Sequence, residues 1–518
     1  MNGADVLCST LLASGIDTCF ANPGTSEMHF VAALDQRPEM RCVLGLFEGV
    51  VTGAADGYAR MTDRPAATLL HTGPGLANGL ANLHNARRAE TAMVNIVGDH
   101  ASTHLQYDAP LTTDIEGLAR PMSHWVGRIG GAASLQRDTE AAIAAARSGA
   151  GQVATLILPA DAAWSDARFD ETAGPILPAA ATSAPAEEIE AAARAIHRAG
   201  PRCLLLLGGR ALRAAPLAEA ARIARATGAG VLSETSNARC EHGRGRHAPA
   251  RVPYLVDVAV ERLAGYDTVI LIGARAPVAF FGFPDRPHVP TRPDAEILPL
   301  AGRGADLAAT LAQLREALGI AANAPLPARD DSPVACPEGA LDTTTLPAAV
   351  AHALPENAIL CDESISMGFP FALLAARCAP HDHLQLTGGA IGIGPALAAG
   401  AAIACPDRPV LSLQADGSAF YTVQGLWTQA REGLNVVTVI LSNRKYQSLY
   451  GELHRLGRNA PGTNARAMLD LDNPAVDWPA LARGFGVGGS RVERAEDLAA
   501  AITRAFRAGG PHLIEAVL

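Results

Sequence analysis

The sequence has no run of basic residues longer than pairs such as Arg87-Arg88, and its 42 Lys and Arg against 52 Asp and Glu leave a net charge of −10. That balance offers no electrostatic footprint for nucleic acid or an anionic membrane. No stretch reaches the roughly 18 consecutive apolar residues that span a bilayer, and the N-terminus has neither the basic start nor the apolar core of a signal peptide. The nine cysteines, scattered from Cys8 to Cys405, include no Cys-x-x-Cys pair, which fits neither a zinc site nor a disulfide framework. A fixed-period repeat is also missing. These absences predict a cytoplasmic protein in a reducing compartment, without nucleic-acid or membrane partners, whose ligands are small molecules and copies of itself.

What is present is a long chain, 518 residues and 49% hydrophobic, well past the size at which a single core stops growing. Two stretches lose apolar periodicity and gain Pro, Ala and Ser, Glu171 to Glu187 and Ile320 to Gly339, and read as linkers. They predict three domains, over residues 1–170, 188–320 and 340–518. In each block short β-type runs alternate with longer helical patterns: Cys42–Leu46, Ala66–Leu70 and Met93–Val97; Cys203–Leu207 and Thr268–Ile272; Ile359–Cys361, Val410–Gln414 and Val436–Leu441. The expected fold class is therefore α/β, three doubly wound parallel-sheet domains. Ligands of such sheets lie beyond the carboxyl ends of the strands, so the residues that follow each strand carry the functional information.

The run Val410–Gln414 ends in Ala415-Asp416-Gly417-Ser418, a helix is predicted over Thr422 to Glu432, and a second strand, Asn435–Leu441, ends in Ser442-Asn443-Arg444-Lys445-Tyr446. A right-handed crossover sets two such strands side by side, so Asp416 and Asn443, 27 residues apart, converge at one end of the sheet. One carboxylate and one amide oxygen suit Mg²⁺, which takes hard oxygen ligands and completes its shell from phosphates, water and carbonyls; a plain turn and strand end without metal is the alternative. Glu48 likewise follows a strand, in Phe47-Glu48-Gly49, among apolar neighbours. It reads either as an ordinary helix-start carboxylate or as a carboxyl placed to share a proton with a ring nitrogen.

Asp416-Gly417-Ser418 with Asn443 resembles the thiamine diphosphate motif, Gly-Asp-Gly followed by Asn-Asn, with Ala415 and Ser442 replacing residues at its edges. The stretch FEGVVTGAADGYAR, residues 47–60, resembles the Glu-centred segment of the pyrimidine-binding domain in benzoylformate decarboxylase and the acetolactate synthase large subunit. Asn22-Pro23-Gly24-Thr25-Ser26-Glu27, His71-Thr72-Gly73-Pro74-Gly75, Asn78-Gly79-Leu80 and Asn82 extend the likeness over the first block, and it runs over most of the chain.

This resemblance implies pyrimidine-binding, Rossmann-like and diphosphate-binding domains in that order, with thiamine diphosphate and Mg²⁺ as cofactors. It assigns Mg²⁺ to Asp416, Asn443 and the carbonyl of Lys445, and cofactor contacts to Gly417, Ser418, Tyr446, Ser364 and Ser366, with Ile365 standing at a further hydroxyl position. Glu48 would bind N1′ of the aminopyrimidine, Gly389 would present its carbonyl to the 4′-amino group, and Ile391 would wedge the cofactor into its bent form. Thr25 and His71 would meet the substrate, His71 also relaying protons, with Leu449 and Glu452 on the substrate wall. Glu452 replaces an aromatic wall of the decarboxylases, and Gly282 stands where those enzymes carry a histidine. The turn Leu207-Gly208-Gly209-Arg210 admits FAD or another nucleotide without supporting one.

The implied activity is making or breaking a carbon–carbon bond in a 2-oxo acid, by an acetolactate synthase-like carboligase or a benzoylformate-type decarboxylase. The alternatives are a non-decarboxylating lyase or hydrolase, an oxalyl-CoA-type decarboxylase, or a low-turnover cofactor-binding paralogue. The resemblance also implies active sites at a subunit interface, in a homodimer or a dimer of dimers.

Overall fold

The computed structural model describes residues 1–518, the side chains of 367–369 apart. Its strands fall into three parallel-dominated sheets, and the chain packs as two compact units: Met1–Ala179, Ala335–Phe371 and Leu386–Leu518 form the first, Ala180–Val334 and Ala372–Gln385 the second.

The first unit holds two sheets. One comprises β1 (Thr18–Asn22), β2 (Arg41–Leu44), β3 (Ala66–Leu70), β4 (Met93–Asp99), β5 (Trp125–Arg128) and β6 (Val153–Pro159), in the order β2-β1-β3-β4-β6-β5. β3, β4 and β6 are buried at every position, which is why these segments read as continuous apolar runs rather than alternating ones. The strand order reverses at β1 and β3: from β1 the chain steps to one side for β2 and to the other for β3, opening a crevice at their carboxyl ends.

In the second unit, β7 (Cys203–Leu207), β8 (Gly230–Ser233), β10 (Thr268–Ile272) and β11 (Glu296–Ala301) form a parallel sheet in the order β11-β10-β7-β8, with a short β9 at Cys240–His242. The remaining strands are β12 (Ala358–Glu363), β13 (His381–Gln385), β14 (Val410–Ala415), β15 (Val436–Ser442), β16 (Gly488–Val492) and β17 (His512–Val517). In the first unit they run β16-β17-β15-β14-β12, all parallel, with Glu363 opposite Gln414 and Ala415 opposite Leu441. β13 lies in the second unit, antiparallel to β9. That pairing was not expected, because the sequence places these strands about 140 residues apart and carries no turn signal between them.

Three helices position the site: α1 (Glu48–Thr62), α2 (Thr72–Ala89) and α3 (Gly394–Ala404). α1 and α3 are buried almost throughout and touch backbone to backbone. A Cβ at Gly57 would overlap the carbonyl oxygen of Leu397, and one at Gly400 would overlap that of Ala54. Small residues on both faces permit this approach, and the van der Waals contact it allows is what they return for the backbone entropy of glycine in a helix.

The second unit contains a cluster of three imidazoles where β9 meets β13. The rings of His242, His381 and His383 lie 5.5 to 6.2 Å apart, and His381 Nδ1 is 2.8 Å from the carbonyl of Ala379. Burial holds His242 well below the ordinary imidazole range and pushes His381 down to about 3. In the same unit, Phe280, Phe281 and Phe283 form an aromatic cluster with Tyr254, and the His288 ring lies 3.2 Å from where a Cβ at Gly282 would stand.

Gly400→Ala should destabilise the first unit by roughly 1–3 kcal/mol through overpacking, read as a lower urea midpoint; an unchanged midpoint would show that the helices part freely. The imidazole cluster sets an acid limit. Because the folded pKa of His381 lies below the ordinary 6.5, the unfolded chain binds more protons as pH falls through 6.5. The stabilisation is complete above about pH 6.5 and shrinks toward the folded value, by about 2 kcal/mol from His381 at pH 5. Urea unfolding at pH 8 and pH 5 should show that loss, and His381→Gln should reduce it.

Candidate active site

Glu48 opens α1 directly after the extended Phe47, and is 8% exposed. Its Oε2 accepts a 2.9 Å hydrogen bond from Asn78 Nδ2, while Oε1 faces Gly75, where a Cβ would come within 2.9 Å of it. Both partners lie in the first turns of α2, so two helix N-termini meet at one carboxyl group. Thr52 Oγ1 ties them together by donating to the carbonyls of Glu48 and Gly79.

The crevice between β1 and β3 contains a second acid that sequence reasoning quoted in a motif but did not assign. Glu27 is 1% exposed. Its Oε2 lies 2.8 Å from His71 Nδ1 and accepts the Gly24 N–H at 2.9 Å, and its Oε1 accepts from Ser26 Oγ at 2.5 Å. The carboxylate fixes the proton on Nδ1, so His71 presents Nε2 as its other nitrogen. Two glycines make room: a Cβ at Gly98 would overlap the Glu27 carboxylate, and one at Gly24 would overlap the His71 ring. These glycines, one before the acid and one at the end of a neighbouring buried strand, were the available signal. Thr25 lies exposed at the start of the same turn. The residue after His71, Thr72, is fully buried with φ +48°, a strained conformation for a β-branched residue and one characteristic of functional sites.

At the other sheet, the Asp416 carboxylate meets the backbone just after Asn443. Asp416 Oδ2 accepts the Arg444 N–H at 2.6 Å and Oδ1 the Gly417 N–H at 2.8 Å, while Asn443 Oδ1 accepts the Lys445 N–H at 3.0 Å. Arg444 takes φ +56°, which folds the strand end back toward Asp416. Burial raises the Asp416 carboxyl above the usual carboxylate range, so a cation would relieve its desolvation. The Tyr446 ring covers Gly417, and a Cβ there would come within 2.6 Å of it. Among the described residues no cluster of three or more His, Cys, Asp or Glu is arranged for a metal. The Asp416 carboxylate and the Asn443 amide oxygen are hard-oxygen donors, of the kind that would fit Mg²⁺ beside a diphosphate.

Other sequence-predicted residues have mixed placements. Ser364 Oγ and N both bond Asp362 Oδ1, and Ser418 Oγ donates to the Ala415 carbonyl while accepting from Gln414, so both hydroxyls are engaged within the chain. Ser366 is exposed, and Ile365 adopts φ +49°. Leu449 and Glu452 lie on a helix at Gln447–Arg455, where Glu452 pairs with Arg455 at 2.8 Å. Gly389 is exposed with φ +79°, and Ile391 is half-buried.

A residue not assigned from the sequence holds these segments together. Glu363, fully buried at the end of β12, accepts the N–H groups of Gly392 at 2.5 Å and Gly394 at 2.8 Å and the Gln414 amide at 2.8 Å. Gln414 also donates to Ser418 Oγ at 2.7 Å. Burial raises the Glu363 carboxyl despite these donors. In the second unit, the turn after β7 is filled by the chain itself. A Cβ at Gly208 would overlap the Gly273 carbonyl and the Glu234 carboxylate, and Glu234 pairs with Arg303 at 2.6 Å.

Two facing helix N-termini around a buried glutamate, and an oxygen-donor turn beyond a parallel sheet, define the frame of a thiamine-diphosphate-dependent enzyme. The chain belongs to that family. Residues 1–118 match the thiamine pyrophosphate enzyme N-terminal TPP binding domain and residues 371–516 the C-terminal TPP binding domain. It is 49% identical over 521 residues to IlvX of Mycobacterium tuberculosis, provisionally named an acetolactate synthase large subunit, covering 100% of this chain and 99% of that one. It is 30% identical to benzoylformate decarboxylase of Pseudomonas aeruginosa, covering 97% and 96%. A solved structure of a thiamine diphosphate-dependent 4-hydroxybenzoylformate decarboxylase from Rhodococcus jostii superposes with a TM-score of 0.87 at 28% identity, covering 100% and 99%. The chain is thus a thiamine-diphosphate-dependent enzyme related to acetolactate synthase and benzoylformate decarboxylase. No helix among the described residues is long and apolar enough to cross a membrane.

Glu27→Ala would leave the Gly24 N–H and His71 Nδ1 without their buried acceptor. It should cost about 3 kcal/mol in urea unfolding; a loss under about 0.5 kcal/mol would mean the pair is not held as described.

Proposed function

We propose that the enzyme acts on a 2-oxo acid, releasing CO₂ and then either protonating the product or joining it to a second carbonyl compound. When bound, thiamine diphosphate supplies the electron sink that this decarboxylation requires. Asp416, Asn443 and the Lys445 carbonyl would hold Mg²⁺, and the backbone of Gly417 and Ser418 would bind the diphosphate. Glu48, its Oε2 held by Asn78, presents its carboxyl at the pyrimidine edge of the site for proton exchange with the ring. Gly389 would offer its carbonyl and Ile391 its side chain to the bound cofactor. His71, oriented by Glu27, presents Nε2 to the substrate beside Thr25, where it exchanges a proton with the reacting carbonyl or its product. The working form is a cytoplasmic homodimer or dimer of dimers.

The observation that carries this reading is the placement of the Glu48 carboxyl and the Glu27–His71 pair at the end of one sheet. Simple retention of a cofactor needs neither a buried acid at α1's N-terminus nor an imidazole with its tautomer fixed. Either product fate is compatible with these groups, and the charged Glu452 on the predicted substrate wall favours a small or polar substrate over an aryl one.

The test is CO₂ release by the Mg²⁺-loaded holoenzyme across aliphatic, aromatic and acidic 2-oxo acids, with and without a second carbonyl compound. Small or polar 2-oxo acids should be turned over, and Glu48→Gln should lower kcat/KM by at least about 100-fold. Absence of CO₂ from every 2-oxo acid would sink the reading in favour of a non-decarboxylating lyase.

A further inference from the structure

Asn78, Asn82 and Asn85 follow one another at i, i+4 and i+7, one face of α2. Each meets a different part of the site. Asn78 holds the Glu48 carboxyl. Asn82 Nδ2 donates to the Gly49 carbonyl at 2.8 Å, one residue further along α1, and its Oδ1 accepts from Asn85 Nδ2 at 3.1 Å. Asn85 then reaches the loop ahead of α3. Its Nδ2 donates to the Ala390 carbonyl at 2.7 Å, and its Oδ1 accepts the N–H groups of Gly388 at 3.1 Å and Ala390 at 3.3 Å.

The loop is held from three further points. Thr387 Oγ1 donates to the Asn85 carbonyl at 2.7 Å and accepts from Arg60 Nη2 at 3.1 Å. Arg60 is itself paired with Asp56 at 2.6 Å, both side chains at most 2% exposed. His84 Nε2 lies 3.0 Å from the Gly388 carbonyl. Residue 388 has to be glycine, because a Cβ there would come within 2.7 Å of Asn85 Oδ1. The carbonyls of Gly388 and Ala390 are therefore engaged, whereas among the described residues no hydrogen bond reaches the carbonyl of Gly389 between them.

Asn85 is 0% exposed and Asn82 2%, so neither interacts with solvent, and a buried amide that satisfies three loop groups at once imposes one geometry on them. We propose that Asn85 is a positioning residue. It clamps the peptides on both sides of Gly389, leaves that one carbonyl free to accept a hydrogen bond from the bound cofactor, and through Asn82 fixes the loop's distance from the helix that begins at Glu48. The inference rests on the reading of Gly389 given above, and it adds the residue that shapes the loop carrying that carbonyl.

The test compares full-length wild type, Asn85→Ala and Asn85→Asp by two measurements: amide hydrogen exchange of residues 386–392 in cofactor-free protein, and affinity for thiamine diphosphate with Mg²⁺ by fluorescence titration. In Asn85→Ala, exchange at 388 and 390 should rise by about 30-fold with β14 and β15 unchanged, and the Kd for thiamine diphosphate should rise by about tenfold. Asn85→Asp keeps the acceptor for the two amides and loses the donor to Ala390. It should retain most of the amide protection and still bind thiamine diphosphate more weakly than wild type. Loop exchange that stays at the wild-type rate in both variants, or rises equally across the whole first unit, overturns the proposal. Variants that bind thiamine diphosphate as tightly as a binding-competent wild type overturn the role of Asn85 alone, whereas a wild type that binds none overturns the reading on which it rests.

Discussion

The constraint on which the site depends is the backbone-close contact between α1 and α3. Each helix begins at a functional feature, α1 at Glu48 and α3 just after the Gly389–Gly392 turn, and the two helices belong to different sheets of the first unit. At Gly57 and Gly400 a single added carbon would strike a carbonyl of the opposite helix. The separation of the helices is therefore set by backbone atoms, which do not adjust as side-chain rotamers do. Fixing that separation fixes where the two helix starts lie, and the asparagine face of α2 works against a frame that is already rigid.

Around this frame the polar groups are buried and satisfied rather than solvated. Glu363 gathers two N–H groups at the start of α3 and, through Gln414, the Ser418 hydroxyl, so the turn leading into α3 and the turn after β14 share one acceptor. Asp56, Arg60, Thr91 and Thr387 form a comparable set, with Thr91 Oγ1 2.6 Å from Asp56 Oδ1. A buried ion pair or acid of this kind adds little net stability compared with an apolar replacement, but losing one partner is expensive. Such networks therefore favour a single arrangement of the cofactor-facing loops.

The second unit differs in character. At the carboxyl ends of β7 and β10, where a doubly wound sheet would offer a ligand crevice, Glu234, Arg303 and the Gly208–Gly273 backbone contact occupy the space. Burial raises the Glu234 carboxyl, with the Arg303 charge opposing the shift. Elsewhere in this unit the aromatic cluster of residues 280–283 keeps Phe280 and Phe281 about half exposed, and His288 occupies the space that a side chain at 282 would take.

Much of the fold was legible in the sequence, and so was the approach of Asp416 to the turn that follows Asn443. Strand–helix alternation specifies parallel α/β sheets because parallel strands need covered faces and crossover helices, and those requirements are local and periodic. Asp416 and Asn443 could be paired in advance because a crossover connection leaves them few places to go. Glu48 could be singled out only by the family that its stretch resembles, since its neighbours alone left an ordinary helix-start carboxylate as the alternative. Glu27, Glu363 and Asn85 could not, since each acquires its role from residues 29 to 305 positions away. The antiparallel pairing of β9 with β13 was hidden for the same reason. By itself the sequence determined which segments become strands and helices and which chemical groups stand at their ends. The tertiary structure decided which of those groups meet, because hydrogen bonding and close packing between distant segments depend on distances that only the folded chain defines.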